Sequence, residues 1–338
     1  MKWALAILLL LTARDALAQG AEPLSGCQVS PAIDRRTKRA VVSECGRSTA
    51  SRRARVFATG GETAPDERLT AAILYDDEKG RRNICTGVLL DAYHVLTAGH
   101  CGCGRNYRIT FNQVARQDER DERVEIERGP ILFDPMVCID GVGPGKDLAL
   151  FRLKTRQLNP LNFGYPIFAL AADYQEQMSP GNPLKVVGYG ETEAGTFGTR
   201  MKTEVPVLSP DCLESPYEFF CAPFQEMILA DRTGSRVPRD TCAGDSGGPV
   251  YVRAPVSLPS CVDGALEVSY ENQPDNDKIT VLQDVLVAVT SRAAPFTQAL
   301  AGGHCGGGAV NTLIGRQSVY AWFDANHVRP QKCVHKPK

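Results

Sequence analysis

The stretch 240–249, DTCAGDSGGP, sets Ser246 among three glycines and two carboxylates. A serine hydroxyl becomes an effective nucleophile only when a base removes its proton and nearby donors hold the oxyanion that forms. Glycines around Ser246 let the backbone turn sharply, so that the amides of Gly244 and Ser246 can point at one spot. The stretch predicts an acyl-transfer site in which Ser246 attacks and these two amides form the oxyanion hole. By itself, a glycine-rich serine loop is also compatible with a simple turn.

A general base for Ser246 has to come from one of five histidines, at positions 94, 100, 304, 327 and 335. His100 ends an apolar run in LTAGHC and directly precedes a cysteine, where a disulfide could fix its backbone. An acid is then needed to orient the imidazole, and such an acid is usually buried. Asp147 in GKDLALFRL leads straight into an apolar run, which predicts that it is carried inside the fold. We expect His100 to be the base and Asp147 its partner.

The motifs LTAGHC, DLAL and DTCAGDSGGPV, in that order, resemble those of the trypsin-like (chymotrypsin-fold) serine proteases. The separations of 47 residues from His100 to Asp147 and 99 from Asp147 to Ser246 are close to those of that family. The resemblance spans about residues 56 to 328. It implies a serine endopeptidase that works through a covalent acyl-enzyme, with these three residues as its catalytic triad.

The resemblance also assigns substrate-binding positions. Asp240, six residues before the nucleophile, falls at the floor of the family's primary specificity pocket and implies cleavage after Lys or Arg, as in trypsin itself; the alternative is a surface acid. The family's substrate strand usually reads Ser-Trp-Gly, and the best match here is Ser291-Arg292-Ala293. The other glycine of the pocket wall is matched by Ser318 in RQSVYAW. Because these departures add a cation and narrow the wall, a different primary specificity is the alternative.

Family members are made as zymogens, and the resemblance implies how this one would be activated. A new N-terminus, usually Ile-Val-Gly-Gly, pairs with the acid before the serine, here Asp245. In RVFATGGETAP, Gly60 and Gly61 align with the two glycines, but Ala58 and Thr59 are poor substitutes for Ile-Val. Cleavage after Arg55 would instead free Val56, two residues further out. We expect activation near residues 55–58.

Twelve cysteines on a chain with an export signal favour disulfides. The resemblance implies three pairs: Cys85 with Cys101, Cys242 with Cys305, and Cys212 with Cys221 at a short spacing. The remaining six are hypothesised to pair as Cys103–Cys138, Cys261–Cys333 and Cys27–Cys45, because sequence alone leaves connectivity open. Cys101 and Cys103 beside His100 suggest a metal site as the competing interpretation. No second pair at zinc-finger spacing accompanies them, and we expect no metal or other cofactor.

The elements that must position these residues read as short strands. Aliphatic and β-branched runs such as TGVLLD (86–91), LKVVGYG (184–190) and VLVAVTS (285–291) are broken by Gly, Pro and Asp. Strands at this spacing, with few helical stretches between them, predict an all-β fold. The resemblance makes this two antiparallel six-stranded β-barrels, with a boundary at about 160–180 and a short C-terminal helix. The segment 319–328 could begin as a strand and finish as that helix. The segment 251–284 is an insertion, more simply a surface excursion than a substrate- or partner-binding loop.

The chain as a whole sets the context of this site. Its 338 residues and net charge of -1 allow a full core and give no reason to expect nucleic acid or membrane as a partner. Residues 1–18 resemble a signal peptide cut after Ala18, because the apolar run is too short for a membrane anchor. Residues 19–55, basic and poor in apolar periodicity, suggest a pro-segment before a protease domain at 56–338.

We therefore expect a secreted, monomeric protease. Its expected partners are a polypeptide substrate and a protein inhibitor or an activating protease. A binding protein with an intact but unused site is the alternative from another class.

Overall fold

Fourteen short strands and a few helical turns make up the part of the chain that the computed structural model describes. That part comprises residues 61–116, 123–157, 166–168, 171–192, 194–214, 220–233, 239–259, 278–294, 305 and 307–329. The predicted signal segment 1–18, the pro-segment 19–55 and the candidate activation residues Val56 and Ala58 lie outside it.

The first sheet has six antiparallel strands in the order β5-β2-β3-β4-β7-β6. A bridge between Ile109 and Val124 brings its two ends toward each other. Its interior is filled by aliphatic and aromatic side chains such as Ile73, Val95 and Phe151, all fully buried. The strands are β2 (Thr70–Asp76), β3 (Arg82–Leu89), β4 (His94–Thr97), β5 (Arg105–Thr110), β6 (Ile126–Leu132) and β7 (Ala149–Leu153).

The second sheet closes on itself. Its six-strand ring follows the order β10-β11-β14-β13-β12-β9, and pairing of β9 with β10 completes it. The strands are β9 (Pro183–Gly188), β10 (Met201–Ser209), β11 (Glu226–Leu229), β12 (Pro249–Pro259), β13 (Lys278–Ala293) and β14 (Ala309–Leu313). Buried and more exposed residues alternate along β10, as expected of a strand with one face on the core.

The predicted all-β fold of two barrels is confirmed, with one difference in the second barrel. Two short strands join its ring: β1 (Glu62–Thr63) pairs with β10, and β8 (Ile167–Phe168) runs parallel to β13. The second sheet therefore has eight strands, one of them parallel, where six antiparallel strands were predicted. The predicted boundary at 160–180 falls between β7 of the first sheet and β9 of the second.

The C-terminal element is helical from its start. The helix α2 covers Gln317–Ala325, and α1 is a single turn at Val137–Asp140. The expectation that 319–328 could begin as a strand is wrong. Val319 and Phe323 are 0% and 2% exposed, whereas Ala321 between them is exposed. In a strand all three would share one face, but in a helix Val319 and Phe323 share a face that Ala321 does not.

The insertion at 251–284 is a β-ribbon in its described part. Strands β12 and β13 stay paired from Pro249 and Val289 to Pro259 and Lys278. Ala254 and Val256 on this ribbon are 0% and 5% exposed, so one of its faces packs on the core of the second barrel. Residues 260–277 lie outside the described residues.

Four disulfides are present among the described cysteines: Cys85–Cys101, Cys103–Cys138, Cys212–Cys221 and Cys242–Cys305. These four predicted pairs are confirmed. The predicted pairs Cys27–Cys45 and Cys261–Cys333 lie outside the described residues. None of the described helices has the length and apolar character needed to cross a bilayer.

Candidate active site

His100 and Asp147 meet where two neighbouring strands of the first barrel end. Strands β4 and β7 are antiparallel, with Thr97 opposite Ala149, so the residues after β4 lie beside the residues before β7. His100 sits in the 3₁₀ turn Gly99–Gly102 that follows β4. Its Nδ1 is 2.9 Å from Oδ2 of Asp147, and its backbone amide donates to Oδ1 at 2.8 Å. Asp147 therefore holds both the backbone and the ring of His100.

Asp147 is a buried carboxylate that remains charged. Its side chain is 0% exposed, and the hydroxyl of Ser291 donates a second hydrogen bond to Oδ2 at 2.6 Å. Burial alone would raise the pKa of Asp147, but the hydrogen bonds from His100 and Ser291 and the proximity of the imidazole outweigh it and lower the pKa below its ordinary value. The predicted burial of Asp147 is observed, and a charged carboxylate here favours the His100 tautomer with its proton on Nδ1.

Ser246 lies between the two barrels. Its carbonyl accepts a 2.8 Å bond from the amide of Thr86 in β3, while Gly247 donates to the carbonyl of Thr290 in β13 at 2.6 Å. Gly247 has a φ of +82°, and a Cβ there would lie 2.0 Å from Oγ1 of Thr97, so only glycine fits. The sulfur of Cys101 lies 3.7 Å from Nε2 of His100 and 3.7 Å from the carbonyl oxygen of Ser246. The structure thus brings the base and the serine loop to one point.

The backbone amides of Gly244 and Ser246 have no hydrogen-bond acceptor among the described residues. The carbonyl of Ala243 accepts a 2.8 Å bond from Glu191, and in a trans peptide the following Gly244 amide points the opposite way. The carbonyl of Gly244 is in turn held by Oγ1 of Thr86 at 2.9 Å. Within the described residues, neither the Gly244 amide nor the Ser246 amide donates a hydrogen bond. Two donors beside the serine are therefore available to an oxyanion.

Asp245 is buried without a cation among the described residues. Its two oxygens accept from the amides of Gly190 at 2.7 Å and Cys242 at 2.8 Å. Burial raises the pKa of Asp245 to about 6; the two amide bonds lower it only in part, and the charge of Asp240 adds to the rise. A buried carboxylate in this condition would be stabilised by an added positive charge.

Asp240 lies inside the protein, so the alternative of a surface acid is wrong. The residue is 3% exposed. Oδ2 accepts from the amides of Gly307 at 2.9 Å and Gly308 at 3.0 Å, and Oδ1 accepts from Thr241 at 2.8 Å. The backbone of two loops thereby fixes the direction of this carboxylate.

Ser318 is not among the hydrogen-bond partners of Asp240 named above and does not lie on a strand. It is exposed on α2, because the sequence SVY that suggested a strand belongs to the helix. The glycine next to Asp240 is Gly308, which enters β14 with a φ of +96° and whose added Cβ would lie 2.7 Å from Cβ of Ala230. Sequence reasoning missed it, although the run GGG before the apolar stretch at 309–314 carried a signal.

The three residues matched to the family's substrate strand lie in three different environments. Ser291 faces Asp147, as described above, and Ala293 is exposed opposite Ala309 at the end of β13. Arg292 is not a free cation at the pocket mouth. Its guanidinium forms a two-pronged ion pair with the fully buried Glu226, at 2.6 and 3.0 Å. Glu226 was not identified from the sequence, since an isolated Glu at the start of a strand carries no signal of its own.

The cysteines of the competing metal site are not available as metal ligands. Cys85, His100 and Cys101 place their ligand atoms within 4.8 Å of one another. Cys85 and Cys101 are bonded to each other, however, and Cys103 is bonded to Cys138. Sulfur in a disulfide has no thiolate to offer a zinc ion, so this cluster does not fit a zinc site.

These features, an acid–imidazole pair beside a glycine-rich serine loop at the junction of two β-barrels, define the class of chymotrypsin-fold serine proteases. A family model described as Trypsin matches residues 58–290. The chain belongs to this family.

Several curated proteins are similar to this chain. Phenoloxidase-activating factor 1 of Holotrichia diomphalia is 30% identical over 213 residues, covering 56% of this chain and 57% of that protein. CLIP domain-containing serine protease B10 of Anopheles gambiae is 28% identical over 231 residues, covering 62% and 61%. A trypsin-like protease of Streptomyces glaucescens is 31% identical over 172 residues, covering 49% and 58%. The matched region is therefore less than two thirds of each of these relatives.

The fold also has a counterpart among solved structures. A structure of HL collagenase superposes with a TM-score of 0.52 and covers 80% of this chain and 97% of its own. Because the sequence identity is 18%, this similarity supports a shared fold and nothing further.

Proposed function

We propose that the protein is a secreted serine endopeptidase that hydrolyses peptide bonds after Arg or Lys and is made as a zymogen. The observation that carries the proposal is the continuous hydrogen-bond chain from Ser291 through Asp147 to His100, with the Ser246 loop at its end. Relatives whose names describe serine proteases support the same activity. We propose that the protein is a monomer that cleaves polypeptides, and that a protein inhibitor binds it or an activating protease processes it.

The geometry supports acyl transfer in two steps. Oγ of Ser246 attacks the carbonyl carbon of the scissile bond while Nε2 of His100 takes its proton, and the amides of Gly244 and Ser246 hold the oxyanion. The imidazolium, stabilised by Asp147, then gives the proton to the leaving amine, and the C–N bond breaks. Water, activated by the same imidazole, hydrolyses the ester on Ser246 and restores the hydroxyl.

Cleavage after Arg or Lys is supported by the buried charge of Asp240. Three backbone amides fix the direction of its carboxylate, and a Lys or Arg of the substrate could form a charge-assisted hydrogen bond with it. Activation is supported by Asp245. Burial raises the pKa of its carboxyl to about 6, so a cation placed beside it would stabilise the charged form. We propose that the new N-terminus at Val56 or Ala58 supplies this cation.

The test uses the processed protein and peptides with Arg, Lys, Phe or Ala before the scissile bond. We expect turnover after Arg and Lys and covalent labelling of Ser246 by an organophosphonate. Ser246→Ala abolishes both, whereas Ser257→Ala, a matched change at an exposed serine on β12, changes neither. Absence of turnover and of labelling in the wild-type protein would overturn the proposed enzyme. Turnover only after Phe or Ala would overturn the role of Asp240.

The activation site is tested separately. N-terminal sequencing of the active protein locates it, and an active species that retains Gln19 contradicts the zymogen.

A further inference from the structure

An ion pair between Arg292 and the buried Glu226 is linked to the proposed triad by two hydrogen bonds, through Ser291. Arg292 Nη1 is 2.6 Å from Oε1 of Glu226 and also donates to Oγ of Ser291 at a longer 3.4 Å. Arg292 Nη2 donates to Oε2 of Glu226 at 3.0 Å and to the carbonyl of Phe220 at 2.6 Å. The guanidinium is thus fixed by contacts in two directions, with its side chain only 22% exposed.

The direction of the Ser291 proton follows from the chemistry of its two neighbours. A guanidinium has donors only, so the contact with Arg292 occupies a lone pair of the Ser291 oxygen. The single hydroxyl proton must then point to the other neighbour, Oδ2 of Asp147, which lies at 2.6 Å. A hydroxyl without this restraint can rotate to another acceptor, such as a backbone carbonyl or water.

Glu226 in turn holds Arg292 in place. Glu226 is fully buried at the start of β11, and its Oε2 also accepts a 2.9 Å bond from the amide of Ala222. The ionisable groups linked to Asp147 are therefore His100 directly, Arg292 through Ser291, and Glu226 through Arg292. Two strands, one 3₁₀ turn and the segment before β7 contribute to this series, and each member depends on the orientation of the one before it.

We propose that Arg292 is a positioning residue, which with Glu226 fixes the hydroxyl of Ser291 toward Asp147 and thereby keeps the triad acid charged and oriented for His100. This inference rests on the proposed hydrolytic function. The position of Arg292 on the strand matched to the family's substrate strand would suggest only a contact with substrate. The inference instead gives Arg292 a role in holding the catalytic residues in place.

The test is a double-mutant cycle between Arg292→Met and Ser291→Ala, with Arg253→Met as the matched control. Arg253 also pairs with a carboxylate, Asp284, on the same sheet, but its side chain is 60% exposed. We expect Arg292→Met to lower kcat about 10-fold with little change in KM, because the carboxylate of Asp147 is then held less firmly toward the imidazole. In the Ser291→Ala background the same change should cost less than about 2-fold. Arg253→Met should change neither kcat nor KM.

Two outcomes would overturn the proposal: an equal loss from Arg292→Met in both backgrounds, or a loss confined to KM. Because Arg292→Met leaves Glu226 buried and unpaired, Glu226→Gln with Arg292→Met provides a second variant without that charge. The proton NMR resonance of His100 Nδ1 reports the hydrogen bond to Asp147 and needs no turnover, and it should move upfield when Arg292 is replaced. If the wild-type protein neither hydrolyses peptides nor reacts with an organophosphonate, the proposed function fails. An Nδ1 resonance that does not move when Arg292 is replaced overturns the positioning role separately.

Discussion

The hydroxyl of Ser291 donates to Oδ2 of Asp147 at 2.6 Å across 144 residues of sequence. Ser291 belongs to β13 of the second barrel, and Asp147 lies two residues before β7 of the first. This one bond therefore ties Asp147 of one barrel to the strand of the other that borders the serine loop. The alignment of His100 depends on both barrels being folded and in contact.

Removing this bond should weaken catalysis without abolishing it. Ser291→Ala deletes a hydrogen bond to a charged group, an interaction of about 1.5–3 kcal/mol, while the bonds from His100 to Asp147 remain. We expect kcat to fall about 10-fold with KM nearly unchanged, measured by initial rates on an Arg peptide. Ser257→Ala, at an exposed serine, should have wild-type rates. A Ser291→Ala enzyme with unchanged kcat would show that the bond does not serve catalysis.

Neutralising Asp240 should change which substrates are cleaved. Asp240→Asn keeps the shape of the side chain but removes the charge that a substrate cation would meet in a buried site. We expect kcat/KM for Arg and Lys peptides to fall about 100-fold or more, since losing one partner of a buried charge pair costs several kcal/mol. Organophosphonate labelling of Ser246 should persist because Ser246, His100 and Asp147 are unchanged. Asp324→Asn, at a side chain that is 85% exposed, is the control. Equal losses for Arg and Phe peptides would point to a general disruption of the fold.

Gly308 should be as important for Asp240 as the acid itself. Its amide donates to Oδ2 of Asp240, and a Cβ at this position would meet Cβ of Ala230 at 2.7 Å and the carbonyl of Leu229 at 2.9 Å. We expect Gly308→Ala to lower kcat/KM on Arg peptides at least about 10-fold by shifting this backbone.

Gly181→Ala separates that effect from backbone strain. Gly181 has a similar φ of +89°, but nothing lies within 4 Å of its added Cβ. It should therefore cost only about 1 kcal/mol of unfolding free energy and leave the rates unchanged. Equal rates for the Gly308 and Gly181 variants would contradict the proposed dependence of Asp240 on Gly308.

The contribution of Asp245 to the stability of the precursor should fall as pH rises from about 4 to about 6. The pKa of Asp245 is raised from 3.8 to about 6 in the folded protein, so between these values the folded state binds more protons than the unfolded state. Its contribution to the unfolding free energy therefore falls with rising pH, by roughly 3 kcal/mol over the window. Urea unfolding of the precursor at several pH values, compared with Asp245→Asn, isolates this contribution.

Pairing with a new N-terminus should cancel that loss. In the processed protein a cation beside Asp245 would lower its pKa, and the wild-type protein should then lose no more stability over the window than Asp245→Asn does. The exposed change Asp324→Asn should leave the pH dependence of the precursor unaltered. A precursor whose stability changes with pH as Asp245→Asn does would contradict the raised pKa.

Sequence reasoning predicted the fold class and the residues that could react, because both depend on local signals. Apolar runs broken by Gly, Pro and Asp indicated strands, and glycines around a single serine indicated a tight loop. The C-terminal segment was harder, since VYAW suits either a strand or a helix. The buried Val319 and Phe323 would share a face in both, and only the exposed Ala321 between them identifies the helix.

The sequence by itself determined the chemistry available to this protein: a serine between glycines, a histidine after an apolar run, and acids at set separations from them. Only the tertiary structure decided what surrounds each charge. Arg292 is paired with Glu226, Asp240 is bound by Gly307 and Gly308, and Ser318 lies on an exposed helix face. These partners come from distant parts of the chain. Their spacing along it carries no pattern, because the folded backbone, and not local sequence, sets which groups desolvate one another.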